Sequence, residues 1–290
     1  MIHASDSGRP EQSYRSGRPD PGRMDPVILA IEVSVDRCSV AMLAGGVLSW
    51  RESVDGRAAE TILPLITDEL EHRDLDRSAL DAIAFSAGPG GFTGLRVACG
   101  IAQGLGWALD RPLLAVDSLA AVAWQTRSSE IQQVAVAMDA RMGEVYAGLY
   151  IVDPEGRVQT LRAPWLAAPQ ALAQGFALEL QPLNSWLAAG DAFRVYEALV
   201  RPDAGPAAPG GPMSELSEHA WCRVETARAP RADAIAAIAA QQWREGQAIP
   251  AGEASPIYVR DKVALDVDEQ RALRASRDTS SRKIANPEPR

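Results

Sequence analysis

Short apolar runs broken by polar or glycine-rich links set the rhythm of the first half of the chain. Residues 27–31, Val-Ile-Leu-Ala-Ile, are apolar without interruption and predict a buried strand. Strands at 38–43 and 47–52 follow, and Gly45-Gly46 between them is a two-residue hairpin signal. Residues 58–70 predict a helix whose apolar positions Ile62, Leu63, Leu65, Ile66 and Leu70 cover more than one stripe. Pro64 stands more than a turn inside it and predicts a later start or a kink. Then come a strand at 82–85, a glycine-dense loop, a helix at 95–109 and a strand at 112–116. A helix at 119–125 closes the series, capped by Asp117-Ser118.

Three strands, helix, strand, helix, strand, helix is the order of a mixed sheet with helices packed on it. Ribonuclease-H-like lobes of actin-like proteins share this order. The expected fold class is therefore α/β, a two-lobe actin-like (ASKHA, ribonuclease-H-like) fold with mixed sheets flanked by helices. Element order speaks to fold and not to function.

The pattern then starts again. Strands are predicted at 134–138, 144–152 and 157–161, with Asp139-Ala-Arg-Met-Gly143 as the first turn. Helices at 169–177 and 192–200 flank a short strand at 185–189. The second lobe thus begins like a divergent copy of the first. A Pro/Gly loop at 201–216 precedes an Ala-rich helix at 233–245 with an Ile235/Ile238 stripe. The expected organisation is an N-terminal extension at 1–25, a first lobe at 26–128, a second lobe at 129–265 and a tail at 266–290. Both end segments are polar, cannot bury apolar area and are expected to be disordered.

Composition narrows the chemistry. Hydrophobic residues make up 47% of the 290, which permits a sizeable core. A net charge of −9 argues against a whole-protein electrostatic grip on nucleic acid. Cys38, Cys99 and Cys222 are widely spaced, giving neither a disulfide framework nor a zinc pattern. His3, His72 and His219 show no metal spacing, and His219 with Cys222 makes a single pair with no second pair to complete a site. No metal is expected. No apolar run reaches membrane length and no signal peptide is visible, so a cytoplasmic protein is expected.

The chain is organised around Ser86-Ala-Gly-Pro-Gly-Gly-Phe-Thr-Gly-Leu-Arg96. Gly88, Gly90, Gly91 and Gly94 let the backbone take positive φ, and Thr93 is placed to cap the following helix. Such a loop reads either as a phosphate cradle at a helix N-terminus or as a tight turn for close packing. The glycine spacing is neither a dinucleotide fingerprint nor a P-loop. Glu32 and Ser34 end the first strand, where actin-like folds place a carboxylate; they read as phosphate-facing groups or as a plain turn. Asp139 and Arg141 mirror them in the second lobe, with turn formation the simpler reading. Glu144 and Tyr146 share one strand face and suggest a salt link or a groove wall. No Gly-x-Ser-x-Gly elbow and no His-Glu-x-x-His motif occurs. In the helix at 95–109, Gly100, Gly104 and Gly106 each cost roughly 1 kcal/mol against alanine, so tertiary contact must offset them. Gly100 and Gly104, with Val97, Ile101 and Trp107 near, make a flat stripe that serves packing within the lobe or pairing with another subunit.

Ile28-Leu-Ala-Ile-Glu-Val-Ser34, Gly88-Pro-Gly-Gly-Phe-Thr-Gly-Leu-Arg96, Asp139-Ala-Arg-Met-Gly-Glu-Val-Tyr146 and Tyr258-Val-Arg-Asp-Lys-Val-Ala264 together resemble the TsaB (YeaZ) family over residues 27–265. The resemblance implies a bacterial cytosolic protein needed to make threonylcarbamoyladenosine beside the anticodon of tRNA. It implies a non-catalytic paralogue of TsaD, the subunit that carries a metal-binding His-x-x-x-His motif. Such a subunit pairs with TsaD through first-lobe helices, the ATPase TsaE docks on the pair, and alone it forms a homodimer through the same surface. tRNA is reached through the complex, and no cofactor is implied. Expected partner-surface residues are Ile62, Leu63, Ile66, Val97, Gly100, Ile101 and Gly104. Glu32, Ser34, Gly88, Gly90 and Gly91 are left as a vestigial nucleotide site. Glu32 stands where the family usually has Asp, and Ala58-Ala59 where it often has His-Ser. The rival expectation is an autonomous ATP-binding actin-like kinase or hydrolase using Glu32, Ser34 and the glycine loop.

Overall fold

Residues 27–31 are fully buried because β1 (Ile28–Glu32) is the central strand of a five-stranded sheet. The computed structural model describes residues 25–33, 37–53, 58–180, 185–200, 221, 223–226 and 229–260. The end segments and the 201–216 loop lie outside them. β1 pairs antiparallel with β2 (Cys38–Ala44), which pairs antiparallel with β3 (Val47–Ser53) across Gly45-Gly46, both at positive φ. α1 (Ala58–His72) begins at Ala58 and runs on through Pro64, against the expected late start. Pro64 is exposed, while Ile62, Ile66 and Leu70 anchor the helix in the core and offset the local cost of proline. Buried Glu69 also ties α1 to β3, accepting from Arg51 Nε at 2.8 Å and from the Ser49 hydroxyl.

β4 (Ala82–Gly88) lies parallel to β1, α2 (Phe92–Leu109) follows, and β5 (Leu113–Asp117) lies parallel to β4. α3 (Ser118–Trp124) is capped by Asp117, which accepts from the Leu119 N–H at 2.8 Å. The second half repeats the plan. β6 (Gln132–Arg141), β7 (Glu144–Val152) and β8 (Val158–Ala167) form a meander. α4 (Pro169–Glu179), β9 (Trp186–Ala189), α5 (Ala192–Val195), α6 (Glu197–Val200), β10 (Arg223–Glu225) and α7 (Ala232–Arg244) complete it. The sheets run β3-β2-β1-β4-β5 and β8-β7-β6-β9-β10, the same order twice. The helix expected at 192–200 is broken at Tyr196, whose φ is −120°.

The inner strands of each sheet are buried on both faces, so each sheet needs cover on both. Leu29, Ile31, Ile83 and Phe85 face α1 and α2. Ile28, Ala30, Ala84 and Val116 face α3, α7 and the apolar side of the second sheet. Ala137, Val145 and Leu149 face α4, Phe193 and Trp221. α7 falls in the second half of the sequence yet packs on β1, β2, β4 and β5. On that second face the short α3 covers only part, and α7 supplies the rest with small residues such as Ala234 and Ala236, in the same core cluster as Ala30 and Ala84.

Asp117 also joins the two halves by accepting from the Tyr150 hydroxyl on β7 at 2.6 Å. Loss of water around this carboxyl outweighs its hydrogen bonds and pushes its pKa up to about 6. The folded chain therefore binds this proton more tightly than the unfolded chain. Its contribution to stability grows as pH falls through 6 and is lost as pH rises through 6. Between pH 7.5 and pH 5 the gain is about 1 kcal/mol. Asp117→Asn keeps a good cap residue and should flatten that part of the profile. Denaturant melts of both proteins at the two pH values measure it, and an unchanged profile in the variant would refute this assignment.

Candidate functional site

The glycine loop leaves the C-terminal end of β4, beside the end of β1, where open α/β sheets hold ligands. Glu32 lies at this end of β1 but is only 1% exposed. The Val33 N–H donates to Ser86 Oγ at 3.4 Å, tying the two strand ends together. Ser34 lies outside the described residues. Gly88 has φ +115°, and a Cβ on it would stand 2.9 Å from both the Ile257 carbonyl oxygen and Leu95 Cδ1. The Ile257 N–H donates to the Ala87 carbonyl at 2.6 Å. Gly88 therefore accommodates the chain's own backbone, which is the close-packing reading of this loop. Gly90 is half-buried; Gly91 is exposed, has φ −62° and precedes the first residue of α2. Thr93 sits inside the first turn of α2 and does not cap it, because Gly91 already supplies the extended entry.

The second lobe mirrors this end. Asp139 Oδ1 accepts from the Arg141 N–H and from the Tyr196 hydroxyl, each at 2.9 Å. The Asp139 N–H donates to Asp191 Oδ1 at 2.9 Å, and Arg141 pairs with the Asp139 carboxylate at 3.4 Å. Asp139 is thus the organiser of a turn. Burial is the main cause that pushes the Asp191 carboxyl and the Tyr196 hydroxyl up. Asp191 and Tyr196 carry no motif of their own; the one sequence signal is Gly190-Asp191 directly after a short strand. Glu144 and Tyr146 share one face of β7, and Tyr146 packs against the shared core.

The expected partner face divides. Ile62 is 0% exposed and Ile66 4%, so both belong to the core behind the surface and not to the surface itself. Positions 62, 66 and 70 share the helix side that faces the sheet, and Leu63 is turned away from it at 52% exposure. Val97 and Ile101 are half-buried, while Gly100 and Gly104 are exposed. Among the described residues, a Cβ at either glycine would meet nothing within 4 Å. Trp107 is exposed one turn beyond Gly104. At the other end the Arg96 guanidinium lies 3.6 Å over the Phe92 ring. On α2, Gly100 and Gly104 thus lie on an exposed stripe between Phe92 and Trp107, with half-buried Val97 and Ile101 packed against the core, while Leu63 is exposed on α1.

Among the described residues no group of three His, Cys, Asp or Glu could hold a metal ion, and no helix is long and apolar enough to cross a membrane. Cys38 and Cys99 are buried and unbridged; Cys222 lies outside the described residues.

Two α/β lobes of one topology, with their parallel-strand ends organised by Gly88 and by Asp139, define a two-lobed actin-like protein. A family model described as TsaD, tRNA N6-adenosine threonylcarbamoyltransferase, matches residues 45–211. The tRNA threonylcarbamoyladenosine biosynthesis protein TsaB of Escherichia coli K12 is 30% identical over 242 residues, 82% of this chain and 96% of that protein. Its Haemophilus influenzae counterpart is 31% identical over 238 residues, 81% of this chain and 94% of that protein. The solved structure of YeaZ from Pseudomonas aeruginosa is 32% identical, with a TM-score of 0.66, over 80% of this chain and 99% of that chain. The chain belongs to the TsaB (YeaZ) family.

Proposed function

We propose that this chain is the non-catalytic pairing subunit in the synthesis of N6-threonylcarbamoyladenosine on tRNA. It joins a TsaD-type catalytic paralogue in the cytoplasm through the exposed side of α1 and α2, and a TsaE-type ATPase docks on the pair. In isolation the same surface pairs two copies. tRNA is reached through the complex, in keeping with a net charge of −9.

The observation that carries this reading is the bare stripe on α2. Two interior glycines weaken the helix by roughly 1 kcal/mol each, and nothing within 4 Å among the described residues requires either. A helix crossing at close range would require both. The names of the relatives support the pathway. Against a nucleotide-turnover role stand the Ile257 backbone seated at Gly88 and the Asp139 carboxylate engaged by its own turn.

The test mixes the purified chain with the TsaD-type protein of the same source. Complex mass and threonylcarbamoyl transfer to tRNA are read with each protein alone and together. The expected outcome is a complex, with transfer requiring both. ATP turnover by this chain alone, lost in Glu32→Ala, would instead establish the kinase or hydrolase reading.

A further inference from the structure

We infer that residues 249–257 are a strap that fixes α2 in place, and that Gln103 is the positioning residue through which the strap holds the partner face. The link to partner binding rests on the pairing role proposed above; the strap itself does not.

After α7 the chain returns to the edge of the first sheet. The Leu113 N–H donates to the Ile249 carbonyl at 2.8 Å, and the Ile249 N–H donates back to Leu113 at 2.9 Å. A short turn at Ala251–Glu253 then passes along α2, with Ala251 and Ala254 each 7% exposed. α2 meets it with Gly106, where a Cβ would stand 2.9 Å from the Ala251 Cβ. Gln103 Nε2 donates to the Ala251 carbonyl at 3.2 Å and to the Ala254 carbonyl at 3.1 Å. The strap ends where the Ile257 N–H reaches Ala87. It is therefore fastened to β5, to the middle of α2 and to the end of β4, the two strands that frame the helix.

α2 needs such fastening. It carries Gly94, Gly100, Gly104 and Gly106, and a helix so rich in glycine owes its order to tertiary contact more than to propensity. Gly100 and Gly104 offer no side chain with which to grip the lobe. Gln103 stands between them in sequence and supplies two hydrogen bonds toward the strap. The bare stripe stays a preformed surface because Gln103, on the flank of α2 beside it, holds the helix to the strap, which spares a partner the cost of ordering it.

Hydrogen exchange on the isolated chain tests this, with Gln103→Leu removing both bonds at similar size. Amides of α2 should exchange about tenfold faster while those of α7 keep the wild-type rate. Affinity for the TsaD-type partner should fall about tenfold, and Gln103→Lys, which donates to the same carbonyls, should recover most of it. Unchanged α2 exchange in Gln103→Leu overturns the strap whatever the partner does. Faster α2 exchange with affinity within twofold of wild type overturns the positioning role. A wild-type chain that binds no partner refutes the pairing role, and the exchange rates still decide the strap.

Discussion

Gly104→Leu should abolish pairing and leave the isolated chain at least as stable as before. The two halves of that result have separate causes. No described residue lies within 4 Å of a Cβ at position 104, so among the described residues the new side chain enters open space. Leucine is also a better helix former than glycine by nearly 1 kcal/mol, so the melting temperature should hold or rise. At a close helix crossing the same side chain has no room. Overpacking of a fitted contact costs about 1–3 kcal/mol, roughly a five- to 150-fold loss of affinity. Light scattering behind a sizing column reads the first half, with the TsaD-type partner and with the chain alone. Thermal melting reads the second. A complex retained at full strength would remove α2 from the interface, and a collapsed melting temperature would mean that position 104 is packed in the monomer after all. Leu63→Glu, at an exposed position of α1, should move in the same direction.

How much of this was legible in sequence depended on whether a residue's role is local. Gly45-Gly46 and Asp117 act within two residues of themselves, and both do what their residue types predict. The repeated strand order was legible because uninterrupted apolar runs mark buried strands wherever they pair. Thr93 is a good cap by residue type, but α2 already begins at Phe92 and Gly91 takes the extended entry. Ile62 and Ile66 were placed on the surface because an apolar spread wider than one stripe does not say which part turns inward; the sheet decides that. α7 was assigned by sequence neighbourhood, whereas its place is set by the uncovered face of a distant sheet. The strap was invisible altogether. Residues 249–257 are held largely by main-chain hydrogen bonds and one glutamine amide, and main-chain bonding leaves no periodic mark on side chains.

Gly190→Ala should be the most damaging single-methyl change in the described chain. Gly190 follows β9 with φ +116°, a conformation that costs a residue with a Cβ about 1–3 kcal/mol. Its missing Cβ would lie 2.1 Å from the Ala137 carbonyl oxygen and 2.9 Å from the Ala137 carbonyl carbon. Both are backbone atoms of β6, the central strand of the second sheet. The Gly190 N–H is also committed to the Glu225 carbonyl at 3.0 Å, so the residue cannot swing aside without releasing β10. Strain and forced strand displacement together should cost on the order of 3–5 kcal/mol, a large share of the stability of an ordinary domain. Gly88→Ala makes the matching change in the first lobe, at φ +115°, but its backbone obstacle is the Ile257 carbonyl oxygen at 2.9 Å. Ile257 belongs to the strap and Ala137 to a central strand, so the first-lobe variant should lose less. Denaturant midpoints of the two variants compare them directly. Equal losses would mean that the strap resists displacement as strongly as the sheet, and a larger loss for Gly88→Ala would reverse the ranking of the two lobes that the geometry predicts.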